Sequence, residues 1–181
     1  NAYLAQEKFT KAIAHFDKYI ELDGDDPVAL CYIGECHEQL NELELAKLFY
    51  KRSLELAPLL PDAWLGLGII KDLEGDTREG ITLIQKASEL DPENAGVYHV
   101  LAGAYEKVEE FEHAHENYEL SLSLDPNDEE CLTNYVGLLK KESVQGALEY
   151  LDVYQAQKQE NKILPVLRVD VLWELGRKKE A

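Results

Sequence analysis

Methionine is absent from all 181 residues, cysteine occurs three times, and acidic residues outnumber basic ones by 36 to 18. Each scarcity narrows what the chain can be. A formal charge of −18 opposes nucleic acid, whose binding rests on Lys and Arg neutralising phosphates. It also opposes anionic membrane surfaces, which draw polybasic segments. No apolar run approaches the ~20 residues that cross a bilayer. The first residue is Asn1 and no Met follows, so a fragment of a longer protein is expected, and any leader would have gone with the missing part. Cys31, Cys36 and Cys131 are an odd, sparse set. Cys31 and Cys36 lie about 140° apart around a helix, poor geometry for a disulfide. They read as small, half-buried thiols in a reducing compartment, and a cytoplasmic location is expected on that ground.

Catalytic patterns are equally scarce. No Gly-rich phosphate loop, nucleophile elbow or zinc spacing is present, and nothing sets a nucleophile against a base. The densest group of ligand-type residues is EEFEHAHENYE at 109–119. Its Glu112-x-x-His115 spacing serves di-metal helical bundles only when a second such motif faces it, and none does. His113 and His115, two apart, point to different sides of a helix. His115 is expected beside the apolar seam, His113 in solvent, and His37 as a buried, hydrogen-bonded ring. No cofactor, metal or enzymatic activity is expected.

What is present is a period. Pro58, Pro92 and Pro126 recur at 34-residue intervals behind SLELA, ASELD and SLSLD. Aligning on them gives repeats at 27–60, 61–94 and 95–128. Residues 129–161 fit as a degenerate repeat with one residue dropped from its turn. Residues 1–26 read as the end of a first helix and a second helix, and 162–181 as a further partial repeat. The first large slot holds Leu30, Trp64, Tyr98 and Leu132, and three residues on come Ile33, Leu67, Leu101 and Tyr135. Gly34, Gly68, Ala102 and Val136 follow, then an aromatic slot with Tyr3, His37, Lys71, Tyr105 and Leu139. In each second half a small residue recurs, as Ala12, Ala46, Gly80, Ala114, Ala147 and Ala181, with Phe16, Tyr50, Ile84, Tyr118 and Leu151 four positions later. Tyr19, Ser53, Ala87, Ser121 and Tyr154 fill the next slot. Lys71 and Gly80 depart from the pattern, and QKQEN at 157–161 replaces the Asp-Pro ending.

These slots resemble the tetratricopeptide repeat, W-x2-L-G-x2-Y, A-x3-F, A and P over 34 residues, along essentially the whole chain. The i, i+3, i+4, i+7 spacing within each half is helical. The turns Asn41-Glu42, Gly75-Asp76 and Glu109-Glu110 divide each repeat into two antiparallel helices. One pair cannot bury its apolar face alone, so the pairs must stack. The expected fold is all-α, a right-handed α-solenoid forming one domain. Recurring residues, Trp64 and Trp173 among them, are expected to be packing rather than recognition residues.

The resemblance implies that the first helix of each pair lines a concave groove with its remaining positions. They include Val28, Cys31 and Gly66 as well as the residues expected to bind: Tyr32, Glu35, Leu65, Ile69, Asp72, His99, Val100 and Asn134. Tyr32, Leu65, Ile69 and Val100 form an apolar strip, either a binding surface or a contact with another copy or with a missing terminal segment. Glu35, Glu38, Asp72 and Glu106 give it a negative rim, suited to a peptide or helix with apolar anchors and basic flanks. Asn134 stands where such proteins often hold a ligand's backbone, or is a solvated Asn. The two-carboxylate clamp of chaperone-tail receptors is absent, since its slots hold Cys31, Glu35, Gly66, Gly96 and Val100 in one frame and no better set in the next. The function this implies is a non-catalytic protein-interaction scaffold. The alternatives are a structural solenoid self-assembling through its ends, and a recruiting or regulatory arm of a larger enzyme.

Overall fold

The computed structural model describes residues 2–157 and 161–176, with side chains from residue 6 to 156 and from 161 to 176. Tyr3 and Ala181, and all of QKQEN but its Asn161, lie outside the described side chains. Ten helices and no strand occur among the described residues: α1 (Ala2–Asp23), α2 (Pro27–Gln39), α3 (Leu43–Leu56), α4 (Pro61–Leu73), α5 (Thr77–Leu90), α6 (Ala95–Lys107), α7 (Phe111–Leu124), α8 (Glu129–Glu142), α9 (Val144–Gln157) and α10 (Leu164–Glu174). None of them is long and apolar enough to cross a membrane. Contacts divide the chain into two compact units, 1–93 and 94–181, and within each unit consecutive helices pack as stacked pairs, the packing of an all-α solenoid.

Local chemistry sets the helix ends. Asp26 and Asp128 each accept a hydrogen bond from a backbone N–H of the first turn they precede, at 2.7 and 2.9 Å, satisfying donors the helix itself leaves orphaned. Pro27 and Pro61 open α2 and α4, where a missing N–H is harmless. Asn41, Gly75 and Glu109, spaced by 34, take positive φ values of 59°, 92° and 61°. The residue after each one closes the helix behind it, as in Asp76 N–H to Lys71 O at 3.0 Å. The turn after α8 lacks this left-handed residue and passes through Ser143 at φ −159°, consistent with one residue fewer there.

Repeated hydrogen bonds accompany the repeated slots. Tyr50 donates to Glu38 and Tyr118 to Glu106, at 2.9 and 3.2 Å. Ser53 and Ser121 donate to the carbonyls of Pro27 and Ala95, at 2.6 and 2.9 Å. Each bond ties a second helix to the one before it. Gly68 and Gly80 let α4 and α5 approach closely: a Cβ on Gly68 would sit 2.9 Å from the Gly80 carbonyl oxygen. The departure at Gly80 therefore belongs with Gly68.

Three expectations are corrected. Ala2–Asp23 form one continuous helix rather than the end of one and a second. Thr10 donates to the Gln6 carbonyl at 2.9 Å and Lys11 pairs with Glu7 at 2.6 Å, both i,i+4 contacts that favour helix across the supposed turn. The cysteines are buried rather than half-buried, and free; Cys31, at 2 % exposure, is core and not groove. Trp173 is 58 % exposed. The position that answers to His37 and Tyr105 in the repeat from 162 is its neighbour Leu172, which is buried.

Candidate functional site

In the first unit the chosen residues lie on α2 and α4. Tyr32, 47 % exposed, stacks on Phe16 of α1 with centroids 5.6 Å apart. Around them His15, Tyr19, Val28 and Ala29 complete a notch of about 360 Å³, open to solvent, with Asp26 at its edge. Phe16 and Tyr19 fill recurring slots in the sequence and were expected to pack; Tyr19 is instead 45 % exposed. The aromatic spacing His15, Phe16, Tyr19 was the available signal, and the slot assignment masked it. Leu65 and Ile69 are half-buried on α4. Gly66 is buried beneath the Tyr50 ring, where a Cβ would meet ring carbon at 2.2 Å, so it is a packing position and not groove lining.

Carboxylates gather beside this surface. Glu35 is exposed overall, yet its carboxyl is held above the usual range, first by partial desolvation and then by Asp62 and Glu38. Burial likewise raises Glu38, partly offset by the hydrogen bond from Tyr50. The same acids, after burial itself, help push the Cys31 thiol up to about 12, which keeps it an inert core thiol. Three acids near one another lower the cost of placing a cation between them. Asp72 accepts from Thr77 at 2.8 Å and braces the turn into α5.

In the second unit the inner positions of α6 and α8 carry a different chemistry. The Asn134 side-chain amide lies 3.0 Å from His99 Nε2, and His99 Nδ1 lies 3.5 Å from Asp128. Lys141 donates to Glu106 at 2.6 Å. A cleft of about 570 Å³ is lined by Gly103, Glu106, Lys107, Thr133, Asn134, Gly137 and Lys141, with Tyr118 alongside. Gly103 and Gly137 lie inside helices, and a Cβ on either would meet nothing within 4 Å. Val100 is half-buried beside them on α6. Tyr32 and Glu35 on α2 and Leu65 and Ile69 on α4 therefore lie in one unit, while His99 and Asn134 touch each other in the other.

The remaining histidines behave as their slots imply. His37 is buried, 2.6 Å from Glu42 and stacked on Phe49. His115 is half-buried and bonds Tyr135 and Glu142, and His113 is exposed. Trp64 donates its indole N–H to the Pro58 carbonyl at 2.9 Å.

Family models described as tetratricopeptide repeat match residues 1–61 and 95–128. The chain belongs to the tetratricopeptide-repeat family. Anaphase-promoting complex subunit 3 of Schizosaccharomyces pombe is 23 % identical over 125 residues, 69 % of this chain and 19 % of that protein. Among solved structures, the crystal structure of the APC/C hetero-tetramer Cut9–Hcn1 superposes with a TM-score of 0.74 at 16 % identity, over 95 % of this chain and 35 % of that one. YrrB, described as a tetratricopeptide-repeat protein with an unusual peptide-binding site, gives 0.65 at 22 % identity, over 91 % and 85 %. The chain thus spans about a fifth of its curated relative and about a third of the Cut9 chain. Identities this low establish the fold alone. The fold is one that mediates protein–protein contact, and tetratricopeptide-repeat proteins are in general non-catalytic scaffolds.

Proposed function

We propose that the chain is a non-catalytic recognition module whose first unit seats an apolar or aromatic anchor of a peptide or helix, with Lys or Arg beside it. One observation carries this reading: the exposed notch at Phe16, Tyr19, Val28 and Tyr32 adjoins α2, on which Glu35 and Glu38 stand above the usual carboxylate range. Such carboxyls gain most from a cation, which relieves their repulsion and repays their desolvation. Leu65 and Ile69 extend the apolar surface, and Asp72 stiffens its edge. His99, Val100 and Asn134 offer a second, separate contact face in the other unit. Repeats at 27–60, 61–94, 95–128 and 129–161, flanked by partial ones, supply the groove helices. Neither nucleic acid nor membrane is a partner in this reading, no cofactor enters it, and three buried free thiols fit a cytoplasmic setting.

The test is a set of labelled synthetic peptides carrying one aromatic anchor flanked either by Lys/Arg or by Glu, read by fluorescence anisotropy. Basic-flanked peptides are expected to bind, and more weakly as salt rises. Tyr32→Ala and Glu35→Lys should each lower affinity at least about tenfold. Equal binding of both peptide classes, or none with a properly folded chain, refutes the reading.

Self-assembly is a second reading because Val166, Val169 and Trp173 are exposed at 60, 43 and 58 % along one side of α10. Concentration-dependent mass without peptide, lost in Trp173→Glu, would favour it.

A further inference from the structure

His99, Asp128 and Cys131 bring three different metal-ligating side chains together from α6 and the start of α8; the recognition reading uses only His99 of the three, and the motif at Glu112 and His115 uses none. We propose that these three residues hold one divalent cation of the zinc class.

The spacing is the first argument. His99 Nδ1 and Asp128 Oδ2 are 3.5 Å apart, and one ligand atom from each of the three residues lies within 4.8 Å of the others. Zn–N and Zn–O bonds of about 2.0–2.2 Å at the tetrahedral angle separate N from O by about 3.4 Å. A Zn–S bond of about 2.3 Å puts S about 3.6 Å from each. The imidazole–carboxylate pair is already at ligand separation.

The division of labour within the cluster is the second. Asp128 Oδ1 caps α8 by accepting from Cys131 N–H at 2.9 Å, which leaves Oδ2 directed to His99. Capping alone requires no imidazole and no thiol. Asn134 lies 3.0 Å from the other ring nitrogen, His99 Nε2. Side-chain amide N and O occupy the same envelope, so Asn134 can turn its carbonyl to accept from Nε2–H. The Nδ1 lone pair then faces the ion, the way an outer partner commonly orients a ligating histidine.

The donor set selects the ion. Imidazole with thiolate suits zinc, whereas magnesium and calcium take oxygen alone. Cys131 is buried and its thiol donates to Ser121 Oγ at 3.4 Å. On binding, bonds form from the metal to N, O and S, the S–H bond breaks, and the proton leaves to solvent. No electron is transferred. The half-buried His99 and Asp128 leave a fourth position for water.

Cobalt(II) titration of the whole chain, with thiols kept reduced, tests this through thiolate-to-cobalt charge-transfer absorption. Saturation at one equivalent is expected, with zinc abolishing the band and raising Tm. Cys131→Ser should remove the band. Asp128→Asn keeps an effective cap and should weaken binding at least about tenfold, as should Asn134→Ala acting through His99. Cys31→Ser with Cys36→Ser should leave the band intact. Circular dichroism checks each variant, and if Cys131→Ser does not fold, Asp128→Asn and Asn134→Ala decide. No band and no Tm shift in the parent chain overturns the proposal. So does a band that survives Cys131→Ser, or one lost with Cys31 and Cys36.

Discussion

The two units run the same scaffold with different surface chemistry. Tyr50 to Glu38 and Ser53 to Pro27 in the first unit have counterparts in Tyr118 to Glu106 and Ser121 to Ala95 in the second. Yet the first unit's α2 presents Glu35 and Glu38 beside an aromatic notch, while the second unit's α6 and α8 present Lys107, Lys141, Thr133 and Asn134 around a cleft. Glycine differs too. In the first unit Gly34, Gly66, Gly68 and Gly80 are filled by neighbours at 2.2 to 2.9 Å; in the second, Gly103 and Gly137 leave open space. The difference separates scaffold from surface: bonds that recur hold helix to helix, and positions that change set what each face can meet.

Gly66→Val breaks the comparison hardest. Its side chain would enter the Tyr50 ring, itself fully buried and bonded to Glu38. Overpacking of that kind costs about 3 kcal/mol, measurable as a lower urea midpoint. Gly103→Ala in the second unit should do the reverse. With nothing for the new methyl to meet, the helix gains about 1 kcal/mol. A destabilised Gly103→Ala would mean the cleft is not open, and the contrast between the units would fail.

Leu65→Asp with Ile69→Asp sharpens the surface half of the comparison. Both residues are half-buried on α4, so the double variant should abolish binding of the basic-flanked peptide, by about 100-fold or more, with helix content nearly unchanged by circular dichroism. An unfolded double variant would instead place them in the core.

The architecture was legible in the sequence because it rests on period. Pro58, Pro92 and Pro126, the turn residues at 41, 75 and 109, and the recurring large and small slots are each readable one residue at a time. Legibility ended where contacts depend on distant residues or on what a slot's neighbour happens to be. Gly66 reads as groove by position, and only the inward Tyr50 ring from α3 makes it core. Tyr19 reads as core by slot and Trp173 by residue type, and both are exposed. Glu7 occupies the position of Asn41, but Lys11 and Thr10 continue the helix through it. His99, Asp128 and Cys131 span 33 residues of sequence and share no motif; nothing short of the α6–α8 packing brings them together.

The smallest expected effect tests the electrostatics of the first unit. Glu35 is raised, by desolvation first and then by Asp62 and Glu38, so the folded chain holds this proton more tightly than the unfolded one. When the native state binds more protons, stability falls as pH rises. The contribution of Glu35 is therefore favourable below the usual carboxylate range and is lost as pH climbs from that range through the raised folded value. Glu35→Gln removes the charge that Asp62 and Glu38 oppose, so it should stabilise the chain at neutral pH by a few tenths of a kcal/mol, about the range for a solvent-screened surface charge. Denaturation midpoints should converge for parent and variant under acid conditions and separate near neutrality, the variant being the more stable. The opposite sign would mean that Glu35 is held by a cation rather than crowded by acids, leaving the groove already satisfied and without the unmet negative charge on which recognition of a basic segment depends.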